Sequence, residues 1–495
     1  MNEIHAFEIA RTEDDKSLNI IGKMSNRHGL IAGATGTGKT VSLRKMAECF
    51  SNAGIPVFLV DVKGDLSGLS KAGENSGKIA ERIEKFRLPE NYLQKFPVRF
   101  WDVYGKTGIP LRVTISELGP MLLARLLQLN ETQEGLLNIV FRVADDNGWL
   151  LTDLKDLRSM LLHLADNASE YRNKYGNIST ASIGAIQRAL LKLENEGAEQ
   201  LFAEPALNLD DLMQTENGKG IINILNAEQL MRSIGLFSAF LLWLAAELFE
   251  KLPEVGDLDK PKFVLFFDEA HLLFDGAPKA LIDQIEQVVR LIRSKGVGIY
   301  FCTQNPLDLP DSVLGQLGNR IQHALRAFTP RDQKAVKAAA DTFRTNPNIK
   351  VAEVIGELGV GEALISFLDE KGMPTPVERA WVLPPSSNLT PIDEKEVEQI
   401  FTSDPLYRAY KDVVDDYSAY EALEETNDKQ PEKNEKKSPS IMDGVLSGIT
   451  GQRRQSGGGI AHDVANQLAR SARNKVIGKI TTAITRGIFG ALVKK

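Results

Sequence analysis

HGLIAGATGTGKTVSLRKMAECF, running from His28 to Phe50, decides the fold. It holds a complete G-x-x-x-x-G-K-T loop, Gly33-Ala34-Thr35-Gly36-Thr37-Gly38-Lys39-Thr40, between a short apolar run and a helix-forming stretch. A strand delivers such a loop, glycines let the backbone wrap closely around phosphate oxygens, and the following helix turns its N-terminal N–H groups toward the anion. Gly33, Ala34, Thr35, Gly36, Thr37, Gly38, Lys39, Thr40 and Val41 are therefore the expected phosphate cradle. Lys39 supplies a point charge to the outer phosphates, and the Thr40 hydroxyl is a ligand for Mg2+.

Working outward, a second signature is KFVLFFDEAH, Lys262 to His271. An apolar strand ending in two carboxylates puts them at the edge where ligands of open α/β sheets collect. Asp268 is expected in the metal shell, and Glu269 is expected to polarise an attacking water as a general base. Carboxylates after a strand also serve as helix caps, so the assignment leans on the phosphate loop elsewhere in the chain. A third strand, GIYFCTQNP from Gly298 to Pro306, ends in Gln304. A glutamine there can orient water or sense the terminal phosphate; bonding loop backbone is its alternative.

Between residues 28 and 385, short β-rich runs alternate with helical patterns, which predicts an α/β fold with a largely parallel sheet. The expected strands are nearly continuously apolar, as strands covered on both faces are. The first is expected at residue 28. Helical periodicity takes over from 115 to 211, in MLLARLLQL, EGLLNIVFRVA, LKDLRSMLLHLA and SIGAIQRALLKLE, which predicts an all-helical insertion. The expected organisation is an α/β nucleotide-binding core in two parts, 1–114 and 212–385, around the insertion 115–211. A helical extension (386–420), a flexible charged linker (421–459) and a basic amphipathic tail (460–495) follow.

Composition excludes several classes. With 43% hydrophobic residues the chain can bury a large core, and no export signal is apparent at the start. LFSAFLLWLAAELF, Leu236 to Phe249, falls short of the ~20 residues that span a bilayer, so a buried helix is expected. Cys49 and Cys302 fall in a predicted helix and a predicted strand, which favours reduced thiols and a cytoplasmic setting. The six histidines show no ligand-like spacing. Net charge is −7, against a surface that is basic throughout; residues from Ala461 onward carry +6, leaving −13 for the rest. In the tail Lys475, Lys479 and Arg486 share one helical face and Ile477, Ile480, Ile484 and Ile488 the other. Docking on the ATPase core is the expected role of that helix, with an anionic membrane surface or nucleic acid as alternatives.

With these pieces in place the chain resembles the HerA/FtsK superfamily of RecA-like P-loop motor ATPases, specifically its HerA-like bacterial helicases. The matching segments are RHGLIAGATGTGKT (27–40), VFLVDVKGDLSGL (57–69), VLFFDEAHLLF (264–274), RSKGVGIYFCTQNP (293–306) and LGNRIQHALRAFTPRDQKAV (317–336). The resemblance implies a homo-hexameric ring, ATP hydrolysis at subunit interfaces with Mg2+, and movement of DNA through the central pore. It also implies an arginine finger acting on the neighbour's nucleotide, for which Arg320 matches best, with Arg326 and Arg293 as alternatives. Asp61 to Asp65 falls at the rim of the nucleotide pocket. HerA proper carries an N-terminal β-barrel, whereas here 27 residues precede the first expected strand, so that barrel's contacts do not transfer. Two other functions stay open: a nucleotide-dependent switch or scaffold with a protein partner, and a motor acting on polypeptide as in the secretion ATPases.

Overall fold

The apolar runs pair into a twelve-stranded sheet. The structure, a computed structural model, describes residues 5–256, 258–275 and 279–428. The strands are β1 (Ala6–Thr12), β2 (Ser17–Ile21), β3 (Gly29–Ala32), β4 (Val57–Asp61), β5 (Val98–Asp102), β6 (Ile109–Pro110), β9 (Ile222–Asn226), β10 (Phe263–Phe267), β11 (Val297–Thr303), β12 (Asn319–Gln322), β13 (Glu362–Ser366) and β14 (Glu378–Val382). A separate hairpin joins β7 (Thr215–Glu216) to β8 (Lys219–Gly220). In the large sheet the order is β2-β1-β14-β13-β12-β3-β11-β10-β4-β9-β5-β6.

From β12 to β6 the strands run parallel. Every residue of β3, β4, β10 and β11 is buried, because helices cover both faces. The other wing, β13-β14-β1-β2, is antiparallel. The fold is thus α/β with a largely parallel sheet, but the first strand is β1, not the one at residue 28. Its AFEIART run, with four residues buried, two intermediate and Ala6 exposed, belongs to a hairpin that joins the sheet by pairing with β14.

Helix α1 (Lys39–Asn52) follows the phosphate loop, and α2 (Gly77–Lys85) lies with no buried residue. Seven helices then follow: α3 (Ile115–Leu126), α4 (Glu131–Asn147), α5 (Leu154–Asp166), α6 (Ala168–Tyr175), α7 (Thr180–Asn195), α8 (Ala198–Leu201) and α9 (Leu209–Leu212). Three of them start with reciprocal caps, Thr114 with Glu117, Asn130 with Gln133 and Asp153 with Asp156. Leu157, Met160, Leu161 and Leu164 of α5 and Ile183, Ile186, Leu190 and Leu193 of α7 form apolar stripes at helical spacing, and these close the helical layer on itself.

Helix α10 (Ile234–Lys251) is buried at every position from Leu236 to Leu248, which explains its apolar character all round. Among the described residues no helix is long and apolar enough to cross a membrane. Next come α11 (Lys279–Ile292), α12 (Asp311–Leu314), α13 (Pro330–Asp341) and α14 (Val351–Val354).

After β14 the chain turns back. The N–H and hydroxyl of both Ser386 and Ser387 donate to the buried Glu48 carboxylate on α1, at 2.6–2.9 Å. Helices α15 (Glu394–Ser403) and α16 (Pro405–Tyr410) then pass β5 and β6. The Tyr410 hydroxyl donates to Asp211 at 2.6 Å, and Arg112 donates to the Tyr410 carbonyl at 2.6 Å. Helix α17 (Ala419–Asp428) packs on α5, where the Ser418 hydroxyl and the Tyr420 N–H donate to Asp156. The charged linker expected from residue 421 is thus helical as far as Asp428. Ala419, Ala422 and Leu423 are buried, and that apolar stripe folds a segment whose charges alone suggested a solvated chain. The remainder of that linker and the basic tail of 460–495 lie outside the described residues.

Candidate nucleotide site

Strand β3 ends at Ala32 and the loop leaves the sheet immediately. The Gly33 N–H donates to the Thr303 carbonyl of β11 at 3.2 Å, and the Ala34 N–H to the Ala324 carbonyl at 2.8 Å. Gly33 has φ +155° and an added Cβ would sit 2.5 Å from the His323 Cβ; Gly38, the cap of α1, has φ +114° and faces Gly361. Both positions demand glycine for conformation and for space. The loop thus closes over the N-terminus of α1, whose unpaired N–H groups and dipole favour an anion.

Lys39 begins α1, is buried, and turns its ammonium back to the Gly33 and Ala34 carbonyls at 2.7 and 3.2 Å. Burial pushes its pKa below the usual lysine value, while the nearby Glu269 and Asp268 charges oppose that shift. Thr40 is half-buried one residue further along the helix, and Val41 follows.

Strands β10 and β11 are neighbours, so Asp268, Glu269 and Gln304 emerge side by side next to the loop. Burial holds the Asp268 carboxyl up at about 6, with Lys63 pulling it down and Glu269 pushing it up. Its Oδ2 is buried without a hydrogen-bond partner. A deeply set oxygen in that condition suits a hard cation, and so does the hydroxyl of Thr40. Among the described residues no group of three or more His, Cys, Asp or Glu side chains gathers to hold a metal. Any cation here would keep few protein ligands, which is how Mg2+ sits beside phosphates.

Glu269 adopts a left-handed backbone, φ +48° and ψ +46°. That conformation costs about 1–2 kcal/mol for a residue with a Cβ. The side chain is tied on several sides: Lys63 donates to Oε1, while His271 Nδ1 and Gln304 Nε2 each lie 3.4 Å from Oε2. Burial pushes the Glu269 carboxyl up, but the Lys63 bond and charge outweigh it and hold the group below its ordinary value. The carboxylate is therefore ionised at the sheet edge, the form a general base requires.

Some of what assembles this site carries no motif. His323 is fully buried beside the loop; its Nε2 pairs with the Ser42 hydroxyl at 2.7 Å and its Nδ1 with the Glu362 carbonyl at 2.8 Å. Burial pushes it down to about 4, so it is a neutral bracket between α1 and β13. The Gly361 N–H donates to the Thr37 carbonyl at 2.9 Å, which braces the loop from the antiparallel wing. His323 lies within the matching segment 317–336, but nothing in that run marks it as a bracket, and only the pairing reveals it.

The three arginines lie apart. The Arg320 guanidinium donates to the Leu317 and Leu314 carbonyls of its own subunit, at 3.1 and 3.0 Å. Arg326 is exposed just past β12, at the phosphate-loop edge, while Arg293 is exposed in the turn that precedes β11, at the opposite edge. Cys49 and Cys302 are both free.

Comparison with known proteins follows the same lines. The family model described as helicase HerA-like C-terminal matches residues 6–495. A probable helicase of Methanocaldococcus jannaschii, MJECL08, is 30% identical over 120 residues, covering 23% of this chain and 21% of that protein. The match thus spans about a fifth of the relative's length. Among solved structures, the plasmid coupling protein TrwB in complex with the non-hydrolysable GTP analogue GDPNP is 15% identical with a TM-score of 0.49, over 78% of this chain and 95% of that one. VirB4 of Thermoanaerobacter pseudethanolicus is 15% identical with a TM-score of 0.46, over 77% and 96%.

Proposed function

The chain belongs to the helicase HerA-like C-terminal family, and from that premise we propose that it is an ATP-hydrolysing motor that translocates or unwinds DNA as a homo-hexameric ring. The observation that supports this most is the convergence of Lys39, Asp268, Glu269 and Gln304 on one edge of a parallel sheet. Residues 33–41 form the phosphate cradle, and Thr40 with Asp268 would hold Mg2+. When bound, the cation neutralises charge that develops on the phosphoryl oxygens. Lys39 leaves its carbonyl partners for the terminal phosphate. Glu269, ionised and oriented, takes the proton of the attacking water, with Gln304 aligning that water beside it.

Interface catalysis calls for an arginine whose guanidinium is free to reach a neighbour. In this reading the role passes from Arg320, engaged by two carbonyls of its own subunit, to Arg326, which is exposed at the loop edge. Mixing Lys39→Ala subunits with subunits lacking the true finger restores activity where an intact loop meets an intact arginine. Rescue by Arg320→Ala subunits instead of Arg326→Ala subunits would return the role to Arg320. In this reading 1–114 and 212–385 are the motor core, 115–211 the inserted domain and 386–420 an extension of the core, in a protein of the cytoplasm.

The deciding measurement is the ATPase rate with and without single- and double-stranded DNA. Stimulation of several-fold by either is the expected result. A rate indifferent to both argues for a nucleotide-dependent switch, or for polypeptide as the substrate.

A further inference from the structure

Lys63 sits where two neighbouring strands of the parallel sheet end together. Strands β4 and β10 are in register, with Val60 opposite Phe267, so the turn after Asp61 emerges beside the one that carries Asp268 and Glu269. That turn is rigid. The buried Asp61 carboxylate accepts the N–H groups of Lys63, Gly64 and Leu66 at 3.2, 2.7 and 3.0 Å, which fixes the Lys63 backbone. From there the Lys63 ammonium reaches Glu269 Oε1, although its side chain is 42% exposed and that of Glu269 only 6%. The exposed partner is the donor and the buried one is held.

We propose that Lys63 is a positioning residue for hydrolysis. It anchors one oxygen of the Glu269 carboxylate, which leaves Oε2 to Gln304 and His271, each 3.4 Å away. It also occupies the carboxylate that lies within coulombic reach of Lys39, so that Lys39 rests on carbonyl oxygens and remains exchangeable for phosphate. A competing ion pair between Lys39 and Glu269 would disarm both groups at once. This inference rests on the role given to Glu269 above.

The test compares the full chain with its Lys63→Met, Lys63→Arg, Glu269→Gln and Lys63→Met/Glu269→Gln variants, reading kcat, KM for ATP and the affinity for Mg·ADP. Misplacing the carboxylate without removing it lowers kcat by about 10²-fold in Lys63→Met. KM and Mg·ADP affinity are expected to stay within about two-fold, since no binding group is removed. Lys63→Arg restores most of the rate because a cation is again in reach. The double variant is no slower than Glu269→Gln, since Lys63 acts through that carboxylate. Wild-type or raised kcat in Lys63→Met overturns the proposal, and so does a loss of Mg·ADP affinity that matches the loss of kcat. Failure of the Glu269 role is separate and recognisable: Glu269→Gln would then hydrolyse ATP at the wild-type rate whatever Lys63 does.

Discussion

The two halves of the sheet do different work. In the half from β12 to β6 all strands point the same way, so their C-terminal ends share an edge and the loops carrying Lys39, Lys63, Asp268 and Gln304 meet there. In the wing of β13, β14, β1 and β2, direction alternates and successive loops leave at opposite edges. Such a wing cannot gather many loops at one point. It braces the site instead, through Gly361 on Thr37 and Glu362 on His323. Charged chemistry therefore belongs to the parallel half and backbone support to the wing, and substitutions in the two should fail in different ways.

The largest effect is expected at the loop. Lys39→Ala removes the cation proposed to face the transferring phosphoryl group and should cut ATP turnover by about 10³-fold or more. The fold should persist, as judged by an unchanged melting curve without nucleotide. Turnover near the wild-type level in this variant would remove the site from the parallel edge.

Glu269→Gln comes next. Losing the base should slow hydrolysis by about 10²–10³-fold while Mg·ADP still binds through the loop and Asp268, so that ATP accumulates on the protein. Equal losses of binding and turnover would make Glu269 a ligand-binding group.

His323→Ala probes the bracing wing. It leaves the Ser42 hydroxyl and the Glu362 carbonyl unpaired around a cavity, and should cost about 2–4 kcal/mol of stability. Its kinetic signature should be a KM raised by several-fold with kcat lowered by less than about ten-fold. A kcat loss as deep as that of Glu269→Gln would make the wing a part of the chemistry.

The smallest effect lies away from both edges, where α3 meets α10. Burial and the neighbouring Glu247 raise the Glu117 carboxyl from 4.5 to about 7. The folded state then binds this proton more tightly than the unfolded chain, so stability falls as pH rises from 4.5 through about 7 and the penalty persists above it. Glu117→Gln keeps the helix cap and loses the charge. Its melting temperature should exceed that of the parent by about 2 °C at pH 8 and differ little at pH 4.5. Turnover should be unaffected, and a pH-independent shift would show that the charge plays no part.

The same division explains what could be read from the chain alone. Runs such as VFLVD and FVLFF announce themselves because both of their faces are covered, and the loop after β3 carries glycines, lysine and threonine in the order a phosphate cradle requires. Strands β1 and β14 are partly exposed, and pairing across more than 350 residues sets their place; Ala10 meets Val382. Nothing local marks them. The segment from Asp61 to Asp65 was legible as a pocket rim, yet the Lys63 bond to Glu269 depends on the register of two strands. His323 is hidden for the same reason, and Leu423 because its charged neighbours dominate the composition of its segment.

The return path of the chain after β14 has a mechanical consequence. The helical layer proposed as an insertion is joined to its host by two crossings of backbone and by the packing of α3 on α10. Here a third crossing exists, because the chain pinned to Glu48 by Ser386 and Ser387 runs on past Tyr410 to end its described course as α17 against α5. That third crossing ties the helical layer to the core at a place the first two do not reach. Helix α1, which carries both Lys39 and Glu48, is thereby linked to α5 of the helical layer through one continuous stretch of backbone.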